Sequence, residues 1–290
     1  MHMHLNDACK ERAPVRQQPA ALVFRAVLRG AAQALWRNRR VRLDEDAWLV
    51  LDGREVCELQ PDPESGVEAV EIGVTAELRD AGLALAAQTL VAGSSPDAGC
   101  VAELAAVAFA DNLRPTDSPA GRRLLEIARA RALGRPPAAQ GGEIVELVAA
   151  CAGEELELRR RAARIACVKV ETREQLLRRI RLAADFIATH HDEPISLDEM
   201  ARAASLSRFH FVRLFNLVHG ETPHAFLLKK RIAVARRHLA VGGACREAAT
   251  RAGFGSRSAL FRNLRKVPRA GGGGAGTVFA ASTEPCFPSA

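Results

Sequence analysis

The sequence predicts an α+β chain: a small antiparallel β-sheet or partial barrel with helices comes first, and an all-α domain of two helix-turn-helix units follows. Three observations predict it. Short apolar runs broken by turn residues fill the first 75 positions, a serine-to-glutamate capping signature opens helical periodicity at Ser196, and that periodicity returns some fifty residues later.

In chain order, the apolar runs are Leu22 to Leu28, Val41 to Leu43, Ala47 to Leu51, Val56 to Leu59 and Val70 to Val74. Arg29-Gly30, Asp44 to Asp46, Asp52-Gly53 and Pro61 to Pro63 separate them, which reads as strands and turns. Beyond Glu77 the pattern turns helical, with helices expected near Glu77 to Val91, Cys100 to Leu113, Pro119 to Leu133 and Glu143 to Val168. Ser118-Pro119 is a good helix start, and Arg135-Pro136-Pro137 to Gly142 reads as a loop.

At 290 residues and 48% hydrophobic composition the chain has room for two domains, expected at 1–172 and 173–267, with a flexible tail at 268–290. The seven cysteines are scattered, with no Cys-x-x-Cys and no zinc spacing, as suits reduced thiols in a cytoplasmic protein. No cofactor or metal is expected, because between Asn6 and Thr189 there is no histidine at all, and Met1-His2-Met3-His4 reads as a frayed terminus. No leader is expected, and the longest uncharged stretch, Ala81 to Pro96, is too short and too rich in small residues to span a bilayer.

The net charge of +7 is unevenly divided. Arg173 to Arg269 holds 19 Lys/Arg against 8 Asp/Glu, a net +11, while residues 1–172 hold 22 against 25. A basic block of this kind neutralises phosphates and releases condensed counterions. Charge alone would equally suit RNA or an acidic membrane, so it names a partner class only.

Within the block, Ser196-Leu197-Asp198-Glu199 is a capping box that starts a helix carrying Leu197, Met200, Ala201 and Ala204. Ser205-Leu206-Ser207 interrupts it, and Ser207 is placed to cap a second helix with Phe211, Leu214, Phe215 and Val218 on one face. Gly220 can close that helix, and Thr222-Pro223 starts a third running to about Leu239. The pattern then repeats: Leu206 has its counterpart in Phe254, and Phe211-x-Arg213-x-Phe215 in Leu260-x-Arg262-x-Leu264. Ala248, Ala249 and Ala252 allow a close helix crossing, Gly253 allows a tight turn, and Ser256 caps a helix to about Lys266. One such pair is ordinary bundle packing; two copies, both basic away from the apolar stripe, point to a duplicated binding module.

Geometry also nominates contact residues. With Phe211, Leu214 and Phe215 turned inward, Arg208, Phe209, Val212 and Arg213 are left for a groove. A guanidinium can bond guanine O6 and N7 together, and Phe209 and Val212 can pack on a thymine methyl. The matching surface of the second unit is Arg257, Ser258, Phe261 and Arg262. Ser196, Ser207, Lys229, Lys230, Ser256 and Lys266, with Arg236 and Arg237, are expected at phosphates or in plain solvation.

The run from Ile195 to Leu239 together with Arg246 to Val267 resembles the DNA-binding domain of the AraC/XylS transcription regulators, a likeness covering about Leu176 to Val267. It rests on the Ser-x-x-x-x-x-Arg-x-Phe helix of Ser207 to Phe215, the Arg-x-x-x-Ala of Arg231 to Ala235 and the Gly-Phe-x-Ser-x-Ser of Gly253 to Ser258. The resemblance implies two helix-turn-helix units in successive major grooves, about 34 Å apart. It also implies a cupin-like, effector-binding amino-terminal barrel followed by dimerisation helices. The expected partners are therefore double-stranded DNA, a second copy through the amino-terminal domain, a small-molecule effector and RNA polymerase, with no membrane. The tail departs from the family, which continues with a glycine, a proline and a closing helix where this chain has Pro268 and a glycine-rich stretch.

A regulator without catalysis is the expectation. The rivals are an enzyme fused to such a module, for instance a DNA-alkyl repair protein with a cysteine as methyl acceptor, and a regulator whose tail weakens its DNA binding. No histidine or zinc ligand lies beside Cys57, Cys100, Cys151 or Cys167 in sequence to activate a thiol. A fragment from Arg173 onward is expected to fold alone, its cores being internal to the duplicated block.

Overall fold

A computed structural model describes residues 5–6, 20–36, 38–53, 57–63, 66–93, 109, 111–132, 140–166 and 169–266. The strands are β1 (Leu5–Asn6), β2 (Leu22–Trp36), β3 (Arg39–Asp44), β4 (Ala47–Asp52), β5 (Glu58–Pro61), β6 (Val67–Val74) and β7 (Asn112–Pro115). They form one curled antiparallel sheet in the order β1-β6-β2-β4-β7, and β3 and β5 pair with the far half of β2. The helices are α1 (Ala76–Gly93), α2 (Pro119–Ala132), α3 (Gln140–Ala163), α4 (Val170–Thr189), α5 (Leu197–Ala203), α6 (Arg208–His219), α7 (Pro223–Ala240), α8 (Cys245–Arg251) and α9 (Arg257–Lys266).

Two sequence expectations need correction here. Arg29-Gly30 is no turn: β2 runs straight through it, because a bulge between Val27 and Arg29 shifts the register and Gly30, at φ +85°, takes left-handed backbone. The strand bends there and does not reverse, so its first half pairs with β4 and β6 and its second with β3 and β5. The helix expected over Cys100 to Leu113 gives way at its end to β7, whose Asn112 and Leu113 pair with Val50 and Leu49. Residues 100–108, Met1 to His4 and the tail lie outside the described residues.

Strand alternation gives the sheet two apolar faces. Leu22, Phe24, Trp48, Val50, Val70, Ile72 and Val74 pack under α2 and α3 through Leu124, Ile127, Ile144, Leu147, Val148 and Cys151. The opposite face, with Trp36, Val41, Leu43, Leu49, Leu51 and Leu113, fills the inside of the curl and meets Ala188 of α4. Helix α1 crosses α3 closely: a Cβ on Gly82 would come 2.5 Å from Val148 Cβ, and Ala86 packs with Ala152 and Leu156.

Helix α3 serves two cores. Its first half belongs to the sheet, while Leu158 and Ala162 near its end, with Ile165 just beyond, join Leu177, Ile180, Phe211, Phe215 and Val218 in the core behind α6. The cores are therefore not internal to residues 173–267. Between the two halves of α3, buried Glu155 accepts from Arg114 of β7 at 3.0 Å and Arg181 of α4 at 2.6 Å, tying three elements together. Burial opposes the charge of Glu155, but Arg181 and Arg114 outweigh it and hold its carboxyl below the usual carboxylate range. Nearby, Asp185 of α4 accepts from the Leu113 amide at 3.0 Å and pairs with Arg39 of β3.

Candidate nucleic-acid interface

The first helix pair begins as its sequence requires. The Glu199 amide donates to Ser196 Oγ at 3.3 Å, and the Ser196 amide donates to Glu199 Oε2 at 2.7 Å. This occupies Ser196 at the helix start. After α5 the chain turns through Ser205 at φ +52°, with Ser205 N bonded to Arg202 O at 2.8 Å and Leu206 N to Ala201 O at 3.0 Å. After α8 the same turn recurs 48 positions on, through Gly253 at φ +71°, with Gly253 N bonded to Thr250 O at 3.0 Å and Phe254 N to Ala249 O at 2.8 Å. Glycine is required at the second turn for space as well as for φ, since a Cβ there would lie 2.6 Å from His191 O.

Capping of the two long-faced helices differs. Ser256 Oγ accepts from the Ala259 amide at 3.1 Å, as expected of a cap. Ser207 occupies the cap position of α6 but its side chain makes no cap bond; its hydroxyl meets His210 Nδ1 at 3.2 Å instead. Gly220, at φ +75°, closes α6, and the Thr222 hydroxyl accepts from the Ala225 amide to open α7.

Most of the nominated contact residues are exposed. On α6, Arg208, Phe209 and Arg213 face outward, and Phe209 is 74% exposed, which is unusual for so large an apolar ring. On α9, Arg257, Ser258, Phe261 and Arg262 do the same, with Phe261 44% exposed. Lys266 and Lys229 are exposed as well, Lys229 pairing with Glu221 at 2.8 Å.

Two nominations are corrected. Val212, expected in the groove, is half-buried and packs on the core behind α6, because it lies three positions before Phe215 and so at the edge of the same apolar stripe. Lys230, expected at a phosphate, is only 10% exposed and donates to Asp44 at 2.7 Å. Arg237, two helical turns further along α7, pairs with Glu45 at 3.4 Å and with Asp46. Both basic groups face the amino-terminal sheet.

Sequence reasoning missed Arg246. With Ala249, Thr250, Phe254, Gly255, Ser256 and Arg257 it lines a crevice of about 530 Å³ at the start of α9. Its counterpart in the first pair, 48 positions earlier, is Asp198, which bridges to Arg208 at 2.5 Å. Comparing the two repeats position by position would have found this inversion of charge.

Elsewhere, His219 on α6 is half-buried, stacked on Phe215 at 4.4 Å between ring centres, and close to Arg181 and Arg161. Burial first, and those two guanidiniums second, push its imidazole down to about 4, so it is neutral at physiological pH. Burial likewise raises the Cys57 thiol and pushes Cys151 up to about 12, which keeps both protonated and poorly nucleophilic. Among the described residues no group of three or more His, Cys, Asp or Glu side chains could hold a metal ion, and no helix is long and apolar enough to cross a membrane.

No curated protein matches the sequence. Among solved structures, ToxT from Vibrio cholerae O395 is 8% identical, with 85% of this chain and 84% of that one covered at a TM-score of 0.30. Wild-type ToxT from V. cholerae strain SCE256 bound to an unsaturated fatty acid is 9% identical, with 85% and 83% covered at 0.31. Residues 200–268, which take in both turns and both outward faces, match the model of a helix-turn-helix domain family. Residues 200–268 of this chain are thus an AraC-type helix-turn-helix domain.

Proposed function

We propose that this chain is a sequence-specific, DNA-binding transcription regulator in which α5–α6 and α8–α9 act as two helix-turn-helix units reading successive major grooves. The observation that carries this reading is the repeated turn: equal hydrogen bonds 48 positions apart present an outward arginine and phenylalanine from each following helix. Arg213 and Arg262 are the principal base readers, each able to donate two bonds to a guanine edge. Phe209 and Phe261 pack on thymine methyl groups, with Arg208, Arg257 and Ser258 beside them. Ser207, Ser256, Arg246, Lys229 and Lys266 serve the phosphates, Ser196 lies at a helix start beside them, and Val212 offers only an edge. The amino-terminal half, residues 1–172, supplies sensing and self-association, and 173–267 supplies recognition.

Selection of bound fragments from a random duplex pool, followed by titration of the winner against salt, tests the reading. A preferred sequence should emerge, and log K should fall linearly with log salt concentration, at about 0.9 per phosphate neutralised. No preferred sequence, or affinity that ignores salt, overturns it. Against a methyl-acceptor enzyme acting through Cys57 or Cys151 stands their burial, which holds both thiols in the protonated form.

A further inference from the structure

The turn between β3 and β4 reads Asp44-Glu45-Asp46, and all three carboxylates point at one face of α7. The turn is held in shape independently: Asp44 Oδ1 accepts from the Asp46 amide at 3.0 Å, and Glu45 Oε1 accepts from the Gly30 amide at 3.1 Å. Lys230 and Arg237 are seven residues apart on α7 and so share a face. Lys230 Nζ lies 2.7 Å from Asp44 and 3.9 Å from Asp46; Arg237 reaches Glu45 and Asp46. The Asp44 side chain is only 7% exposed.

Burial works against the Asp44 charge, yet Lys230, His191 and Arg237 together hold its carboxyl below the usual range. This contact is made of charges, in contrast with the apolar packing of α3 on α6. A buried pair of this kind adds little net stability, but removing one partner leaves the other stranded. A polyanion that pairs Lys230 and Arg237 in place of the turn would leave neither cation stranded.

We propose that Asp44, Glu45 and Asp46 act as a built-in phosphate mimic that masks Lys230 and Arg237, so that the amino-terminal domain and a nucleic-acid backbone compete for α7. Carboxylates presented by one tight turn to two cations on one helix face reproduce the charge pattern of successive phosphates. The masked form withholds two cations from the basic block, and release adds them to the phosphate-binding surface. The inference rests on the proposed DNA-binding function for its duplex partner, and one arm of its test does not.

The test compares the full-length chain with the double variant Asp44→Asn/Asp46→Asn, each checked for fold by circular dichroism. Unmasking two cations should tighten duplex binding at low salt and steepen the slope of log K against log salt by about 2, from roughly 0.9 per phosphate contact. Adding Lys230→Ala should cost the wild-type chain little affinity and should cancel much of the gain in the double variant. The exchanged pair Asp44→Lys/Lys230→Asp should restore masking, which separates loss of the contact from loss of fold. In the second arm, inorganic polyphosphate is added to the wild-type chain and the Glu45, Asp46 and Gly30 amides are followed by hydrogen exchange. Faster exchange is the expected result, whether or not duplex DNA is the partner. An unchanged slope in the double variant, or turn amides that ignore polyphosphate, overturns the inference; absence of duplex binding by every variant while polyphosphate still opens the turn overturns the DNA-binding reading alone.

Discussion

The two helix pairs share a turn, a spacing and an outward arginine, yet they stand on unequal foundations. Behind α6 lie Phe211, Phe215, Phe226 and His219 in mutual ring contact, backed by Ile180, Leu177 and the end of α3. Behind α9 the buried set is Ala248, Ala249, Ala252, Phe254, Leu260, Ile232 and Ala235, four of them alanine, with Ile232 and Ala235 supplied by α7. Electrostatics run the other way: Asp198 neutralises Arg208 in the first pair, whereas Arg246 joins Arg257 in the second. A recurring local motif therefore fixes a recurring local shape, and what packs behind it fixes stability and charge.

The largest expected effect comes from removing the support that the end of α3 gives the first pair. A fragment starting at Arg173 lacks Leu158, Ala162 and Ile165, and each large apolar side chain so uncovered is worth about 1.5–3 kcal/mol. Thermal melting of that fragment should show the first pair unfolding well below its temperature in the full chain; an equal melting temperature would show that α3 is dispensable. Next in size is a pH effect specific to α6. The His219 imidazole is held near 4 when folded against an ordinary 6.5, so its contribution, on the order of 3 kcal/mol, is complete above pH 6.5 and is lost as pH falls toward 4. Asp185, raised by burial to about 6, acts with the opposite sign, its contribution complete below the ordinary value of 3.8 and lost as pH rises through 6. Urea denaturation of wild type and His219→Leu across pH 4 to 7 isolates the first effect: the variant should lose the acid-side decline, and parallel curves would contradict it.

Smaller differences sharpen the comparison. Amides of α9 should exchange with solvent faster than those of α6, because the second core has fewer large side chains to lose on local opening. Equal protection would mean that segments beyond Lys266 brace the second pair. Smallest of all, Asp198→Ala should release Arg208 and tighten duplex binding by less than about 1 kcal/mol, the worth of an exposed ion pair. A weaker complex would make Asp198 itself a contact.

The carboxy-terminal half was legible because its signals are local. Ser196, Thr222, Gly220 and Gly253 act within a few residues of themselves, and they stand where the sequence places them. Helix α4 was harder to see, since Lys169 gives it no side-chain cap. The long β2 was misjudged at Gly30 because a glycine that bends a strand and one that reverses it look alike in sequence. The masked Lys230 and the shared α3 depend on partners such as Asp44, 186 positions away, and no periodicity reports a contact of that range. Val212 was misplaced for a subtler reason: on a helix one position separates groove from core, and only packing decides how far a boundary residue turns.

The central claim is that both outward faces read bases in spite of their unequal support. Affinity of Arg213→Ala and Arg262→Ala for the selected duplex and for each single-base variant of it tests this directly. Each substitution should cost about 1–3 kcal/mol on the preferred site and relax base choice at one position, the two positions lying about one helical turn apart. Losses that are equal on selected and random DNA for either arginine would make that residue a phosphate contact, and for both would contradict the two-groove account.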